Sequence, residues 1–93
     1  MTAHAIVTLS IKDPDTLAAY REKAGAALAK YKAEPLAVSQ EAQIIEGDTS
    51  APDVTVILTF PDRDHALGWI NDPELASTHA LRQGAGTSNI ILM

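Results

Sequence analysis

Five side chains are candidates for chemistry. Arg82 stands three residues after His79, four after Thr78 and eight after Glu74, so all four fall on neighbouring helical turns. No other lysine or arginine follows Arg63. A guanidinium is a planar fork that matches a carboxylate or phenolate oxygen. Its plainer role is a salt bridge to Glu74 or Glu46. His79 titrates near neutral pH and is a candidate acid or base beside Arg82. Glu46 is a candidate general base if partial burial raises its pKa, and otherwise a turn carboxylate. Tyr20 and the only tryptophan, Trp69, are candidate walls of a pocket for a small aromatic ligand. The plainer reading of both rings is core packing.

Other chemistries are excluded by residue type and spacing. With no cysteine there is no disulfide, thiolate metal site or cysteine nucleophile. His4, His65 and His79 have no metal-ligand spacing, and no metal is expected. His65 follows Asp64 at a helix start and reads as a surface group. Gly84 and Gly86 fall between a helix and a strand, where they stop the helix rather than cradle a phosphate. None of the serines sits in a nucleophile elbow.

The elements that must position these groups follow from periodicity. His4 to Lys12 (HAIVTLSIK) puts Ala5, Val7, Leu9 and Ile11 on one strand face, with Ile6 and Thr8 on the other. Asp13-Pro14 is a helix start, an N-cap followed by proline at the first helical position. The spacing of Leu17, Tyr20, Ala24, Leu28 and Tyr31 predicts one helix over 15–31. Pro35 opens an extended segment expected to reach about Glu46, with a polar middle that bends or bulges. Residues 46–53 read as a turn. Val54 to Phe60 (VTVILTF) is the strongest strand and is apolar on both faces. Asp62 or Asp64 caps the next helix, Asn71-Asp72-Pro73 interrupts it, and a second helical piece runs from about Pro73 to Gln83. Ser88 to Met93 is the last strand.

The order is strand, helix, strand, strand, helix, strand. That is the ferredoxin-like βαββαβ plan, with helices on one face of an antiparallel sheet, in a single domain over residues 1–93. A chain of 93 residues buries about 60–65% of its unfolded surface, so its core alone is thin. The face opposite the helices carries Ile6 and half of an apolar strand. A homodimer packed sheet to sheet would cover it. The net charge of −5, from 12 acidic and 7 basic residues, disfavours nucleic acid and anionic membranes as partners. The N-terminus reads neither as a signal peptide nor as a membrane span, so the expected location is cytoplasmic.

A series of short motifs stands in a familiar order: Asp13-Pro14 with Tyr20, Tyr31, Glu46-Gly47, Phe60-Pro61, Ala66 and Trp69, Asp72-Pro73-Glu74, Arg82, and Ser88-Asn89-Ile90-Ile91-Leu92. Together they resemble the domain of unknown function 1330 family of the dimeric α/β-barrel superfamily, over nearly the whole chain. The family usually has a glycine pair where Lys32-Ala33 stands here, and often an aromatic residue at the position of Leu75. The resemblance implies a ferredoxin-like subunit and a dimer whose sheets form a barrel. It implies no reaction.

Two functions are compatible with these residues. The first is an enzyme without bound cofactor, acting on an aromatic or polyketide-like molecule by proton transfer, isomerisation, cyclisation or oxygenation. In it Arg82 holds an anionic oxygen, Glu46 or His79 moves a proton, and Tyr20 and Trp69 shape the pocket. The second is a non-catalytic dimeric module that binds a small ligand or only assembles.

Overall fold

The computed structural model describes all 93 residues, Met1–Met93. Four strands and three helices follow in the order β1 (Ala3–Ile11), α1 (Pro14–Lys30), β2 (Glu34–Ser39), β3 (Val54–Phe60), α2 (Arg63–Asn71), α3 (Ala76–Gly84) and β4 (Gly86–Leu92). One 3-10 turn, Pro73–Leu75, joins α2 to α3. The expected βαββαβ plan is therefore present, with the second helical region in pieces.

The helix starts are set by side chains. Asp13 takes the amide protons of Asp15 and Thr16 at 3.2 Å each, and Pro14 needs no partner at the first position. Asp62 does the same for His65 at 2.8 Å, and Asp72 for Glu74 at 2.8 Å. Pro73 is why the second helical region breaks: it cannot continue the helical hydrogen bonds and holds Asp72 extended. The Asp72 side chain then caps the 3-10 turn that leads into α3.

The sheet is antiparallel, in the order β2-β3-β1-β4. Ala5, Val7, Leu58 and Phe60 on its helix side form the main core with Ala27, Ala33, Ala66 and Trp69. The other side carries a row in register: Ala37, Ile57, Ile6 and Ile91 lie across the four strands. No helix covers that row, and Ile91 is exposed.

Two boundaries differ from the sequence expectation. β2 ends at Ser39, not near Glu46, and residues 40–53 form a loop. As an edge strand β2 has one neighbour, and its pairing stops at Ser39 opposite Thr55, next to the start of β3. The polar stretch beyond has no apolar face to bury and leaves the sheet. β4 begins earlier, at Gly86. A Cβ on Gly86 would lie 1.9 Å from the Ser10 carbonyl oxygen, so only glycine permits this approach of β4 to β1. Next to it the buried Ala85 carbonyl accepts from the amides of Lys12 at 2.7 Å and Asp13 at 2.9 Å. This clamp fixes the end of α3, and hence Arg82, against the start of α1.

Candidate functional site

Arg82 and His79 face inward from α3 and are 2% and 4% exposed. A guanidinium has only donors, so its Nη1, 2.9 Å from His79 Nδ1, must be donating. The His79 proton therefore sits on Nε2, which donates to the Trp69 carbonyl at 2.8 Å. Both ring nitrogens are used. Burial pushes the His79 pKa below its ordinary 6.5; the bond to the Trp69 carbonyl opposes this, and the Arg82 charge adds to it. His79 is a neutral ring that aims Arg82.

The rest of the guanidinium is held on three sides. Nε donates to Ser88 Oγ on β4 at 3.2 Å, and Nη1 makes a longer contact of 3.4 Å with the Tyr20 hydroxyl on α1. Its Cζ lies 5.6 Å from the Tyr20 ring centre and 5.5 Å from that of Trp69. Trp69 meets His79 edge to face at 4.8 Å. These contacts are aromatic, hydroxyl or imidazole. The ion pairs of the chain are Lys30–Asp72, Lys30–Glu74 and His65–Asp62, so no carboxylate neutralises Arg82. Nη2 has no protein partner. A buried charge without a counter-charge is costly, and this cost is offset where an anion fills the space beside it.

That space exists. A cavity of about 240 Å³ lies on the helix side of the sheet, under α1. Its body is apolar, formed by Val7 and Leu9 of β1, Leu17 and Leu28 of α1, and Val56 and Leu58 of β3. Its polar lining is Tyr20, Arg21, Gln40 and Arg82. Neither a carboxylate nor a histidine reaches it.

Of the five candidates from sequence, the structure brings four together: Tyr20, Trp69, His79 and Arg82. Only Tyr20 and Arg82 line the Arg82 cavity. Trp69 backs Arg82 from behind, with its Nε1 buried and unpartnered. It borders a separate, wholly apolar cavity of about 190 Å³. Glu46 stands apart, exposed in the 40–53 loop and bonded to none of the others. The salt bridges foreseen for Arg82 are not formed; Glu74 pairs with Lys30 instead. His65, read as a surface group, is half-buried and its Nδ1 contacts Asp62 at 2.7 Å. No group of histidines and carboxylates is arranged to hold a metal, and no helix is long and apolar enough to cross a membrane.

Sequence reasoning missed two site residues. Ser88 alternates with Ile90 and Leu92, which puts it on the helix side of β4. Arg21 falls four after Leu17 and three before Ala24, on the same helical face as both, and that spacing was readable.

A four-stranded antiparallel sheet in the order β2-β3-β1-β4, with helices on one side, defines a ferredoxin-like fold. The chain belongs to the DUF1330 family, described as a domain of unknown function, which it matches over residues 2–93. Among solved structures it is similar to a protein of unknown function, RPA0582 from Rhodopseudomonas palustris, with 20% identity, a TM-score of 0.75, and coverage of 99% of this chain and 80% of that one. A dimeric ferredoxin-like protein of unknown function from Jannaschia sp. CCS1 gives a TM-score of 0.72 at 8% identity, covering 100% and 98%. SnoaB, a cofactor-independent oxygenase from Streptomyces nogalater, gives 0.63 at 13% identity, covering 99% and 88%. At these identities the likeness concerns the fold. No curated protein matches the sequence.

Proposed function

We propose that the cavity receives a small, largely apolar molecule carrying one oxygen that is, or becomes, an anion, and that Arg82 is its anchor. The observation that carries this is a guanidinium 2% exposed, aimed by His79 and Ser88, with no carboxylate partner and with Nη2 unused. The apolar lining takes the body of the ligand, and the Tyr20 hydroxyl offers a second donor beside Arg82. An apolar cavity of about 150 Å³ is enough for benzene. The volume here suits a substituted ring or a chain of similar bulk.

The chemistry these residues supply is stabilisation of an oxyanion in a water-poor site. A phenol or enolisable ketone that loses its proton to solvent leaves an oxygen on Arg82, with its carbon skeleton against Val56 and Leu58. Such an electron-rich anion isomerises, cyclises or reacts with oxygen without a cofactor; SnoaB, similar in fold, is described as a cofactor-independent oxygenase. A second reading, binding without turnover, is favoured by the lack of a carboxylate or histidine among the lining residues.

The protein acts as a homodimer in this reading, joined through the open face of the sheet. The in-register row of Ala37, Ile57, Ile6 and Ile91 supports that assembly, as does the description of the Jannaschia neighbour as dimeric. A cytoplasmic location and independence of any cofactor belong to the same proposal.

The test is calorimetric titration with octanoate and 4-methylbenzoate against their neutral amides, on wild type and Arg82→Gln. The reading expects the acids to bind wild type at least tenfold more tightly than the amides, with that preference lost in R82Q. Turnover of an enolisable ketone by wild type but not R82Q selects the enzyme over the binding module. Equal binding of acids and amides overturns the reading.

A further inference from the structure

Arg82 is not the only arginine on the cavity. Arg21, on α1, lines the same cavity and also borders the shallow groove that leads from it past Gln40 and Asp53. It is exposed, enters no ion pair and donates no hydrogen bond to the protein. The one acidic side chain lining the groove, Asp53, forms no ion pair with Arg21; its Oδ2 accepts from the Ile11 amide at 2.7 Å, and its charge remains in the groove. The cavity thus has one buried and one exposed guanidinium in its lining, neither in an ion pair, with apolar side chains making up most of the rest.

We propose that Arg21 is a specificity residue and that the preferred ligand is a bipolar anion: an apolar body with one acidic oxygen at Arg82 and a second acidic group, a carboxylate, at Arg21. The inference rests on the Arg82 anchor described above and adds the second charge. The inner oxygen is desolvated and held by directed hydrogen bonds. The outer carboxylate stays partly hydrated and is read by an exposed side chain, so its contribution is screened by salt. Leu17, one turn before Arg21, packs along the path between the two groups. A ligand with a single acidic group satisfies one guanidinium and leaves the other in water.

The experiment compares adipate, suberate and sebacate with hexanoate, octanoate and decanoate by calorimetry at low and high salt. The proteins are wild type, Arg21→Gln and Arg82→Gln, with thermal melting as the check on folding. Arg82→Lys is the fallback if R82Q does not fold. In wild type, one dicarboxylate of the series is expected to bind about tenfold more tightly than its matched monocarboxylate. R21Q erases that preference, weakening the dicarboxylate about tenfold more than the matched monocarboxylate, and raised salt weakens the preference in wild type. R82Q loses both ligands. If dicarboxylates show no advantage at any length, or keep it in R21Q, the Arg21 inference is overturned while monocarboxylate binding through Arg82 stands. If monocarboxylates bind R82Q as they bind wild type, the Arg82 reading fails, and the inference with it.

Discussion

Arg82 Nη1 lies 2.9 Å from His79 Nδ1, and because only the arginine can donate, this contact fixes the histidine as a neutral Nε2–H ring. Protonation of His79 would set two N–H groups face to face and bring two positive charges together. The pair therefore holds only above the histidine's titration. Burial is the first cause of the depressed His79 pKa, so the unfolded chain binds a proton that the folded one does not. The sign follows: stability from this group is complete above 6.5, the ordinary value, and is lost as pH falls below it. Thermal melts between pH 5 and 8 are expected to show that loss in wild type and not in His79→Gln. Nitrogen NMR of the ring is expected to show the Nε2–H tautomer at neutral pH. A protonated ring at pH 7 would contradict this account of how Arg82 is aimed.

Asp72 is the second fixed charge, at the junction of α2 with the 3-10 turn. It accepts from Lys30 Nζ at 2.6 Å, the Tyr31 hydroxyl at 2.7 Å and the Glu74 amide at 2.8 Å, tying the end of α1 to the turn between α2 and α3. The Lys30 bond is the first cause that lowers its pKa to about 2, followed by the Tyr31 hydroxyl. Its stabilisation is present above pH 3.8, the ordinary value, and disappears as pH falls through about 2. Asp72→Asn is expected to melt lower than wild type at pH 7, with the two curves converging near pH 2. A constant gap across that range would mean that the charge is not what matters.

Backbone conformation gives a pair of opposite predictions. Lys32 has φ +56°, in the left-handed region, just past the end of α1. The family usually places glycine at this entry to β2. Lys32→Gly is expected to stabilise the chain by about 1 kcal/mol, the usual cost of a side chain there. Gly86→Ala drives a methyl into the Ser10 carbonyl and is expected to cost on the order of 3 kcal/mol. Urea titrations of both variants measure these changes directly.

The open face of the sheet predicts the assembly. Ile57 and Ile6 face each other across β3 and β1, and Ile91 continues the row on β4. Ile57→Lys puts a charge in the middle of that row. Sedimentation is expected to find a dimer for wild type and a monomer for I57K. A wild-type monomer would contradict sheet-to-sheet pairing.

Much of the fold was legible because its signals are local. The alternation of β1, the Asp13-Pro14 start of α1 and the apolar run of β3 each follow from a few adjacent residues. The length of β2 was not legible, because it depends on how far β3 extends as its only partner. The site was legible in part. Arg82 and His79 share a helix, so their spacing showed that they meet. Which ring nitrogen carries the proton depends on the Trp69 carbonyl, ten residues away. Glu46 was a reasonable candidate as a carboxylate beside a glycine. Nothing local told that the preceding polar stretch leaves the sheet and takes Glu46 out into the loop.

The most direct test of the central claim is calorimetric titration of wild type and Arg82→Gln with 4-methylbenzoate, with thermal melting of each protein with and without the ligand. An anchor at Arg82 predicts that the acid binds and raises the melting temperature of wild type, and does neither in R82Q while that variant stays folded. A lower melting temperature in R82Q with unchanged binding would contradict it. Arg82 would then be a buried structural residue, and the cavity beneath α1 would have no charge to read.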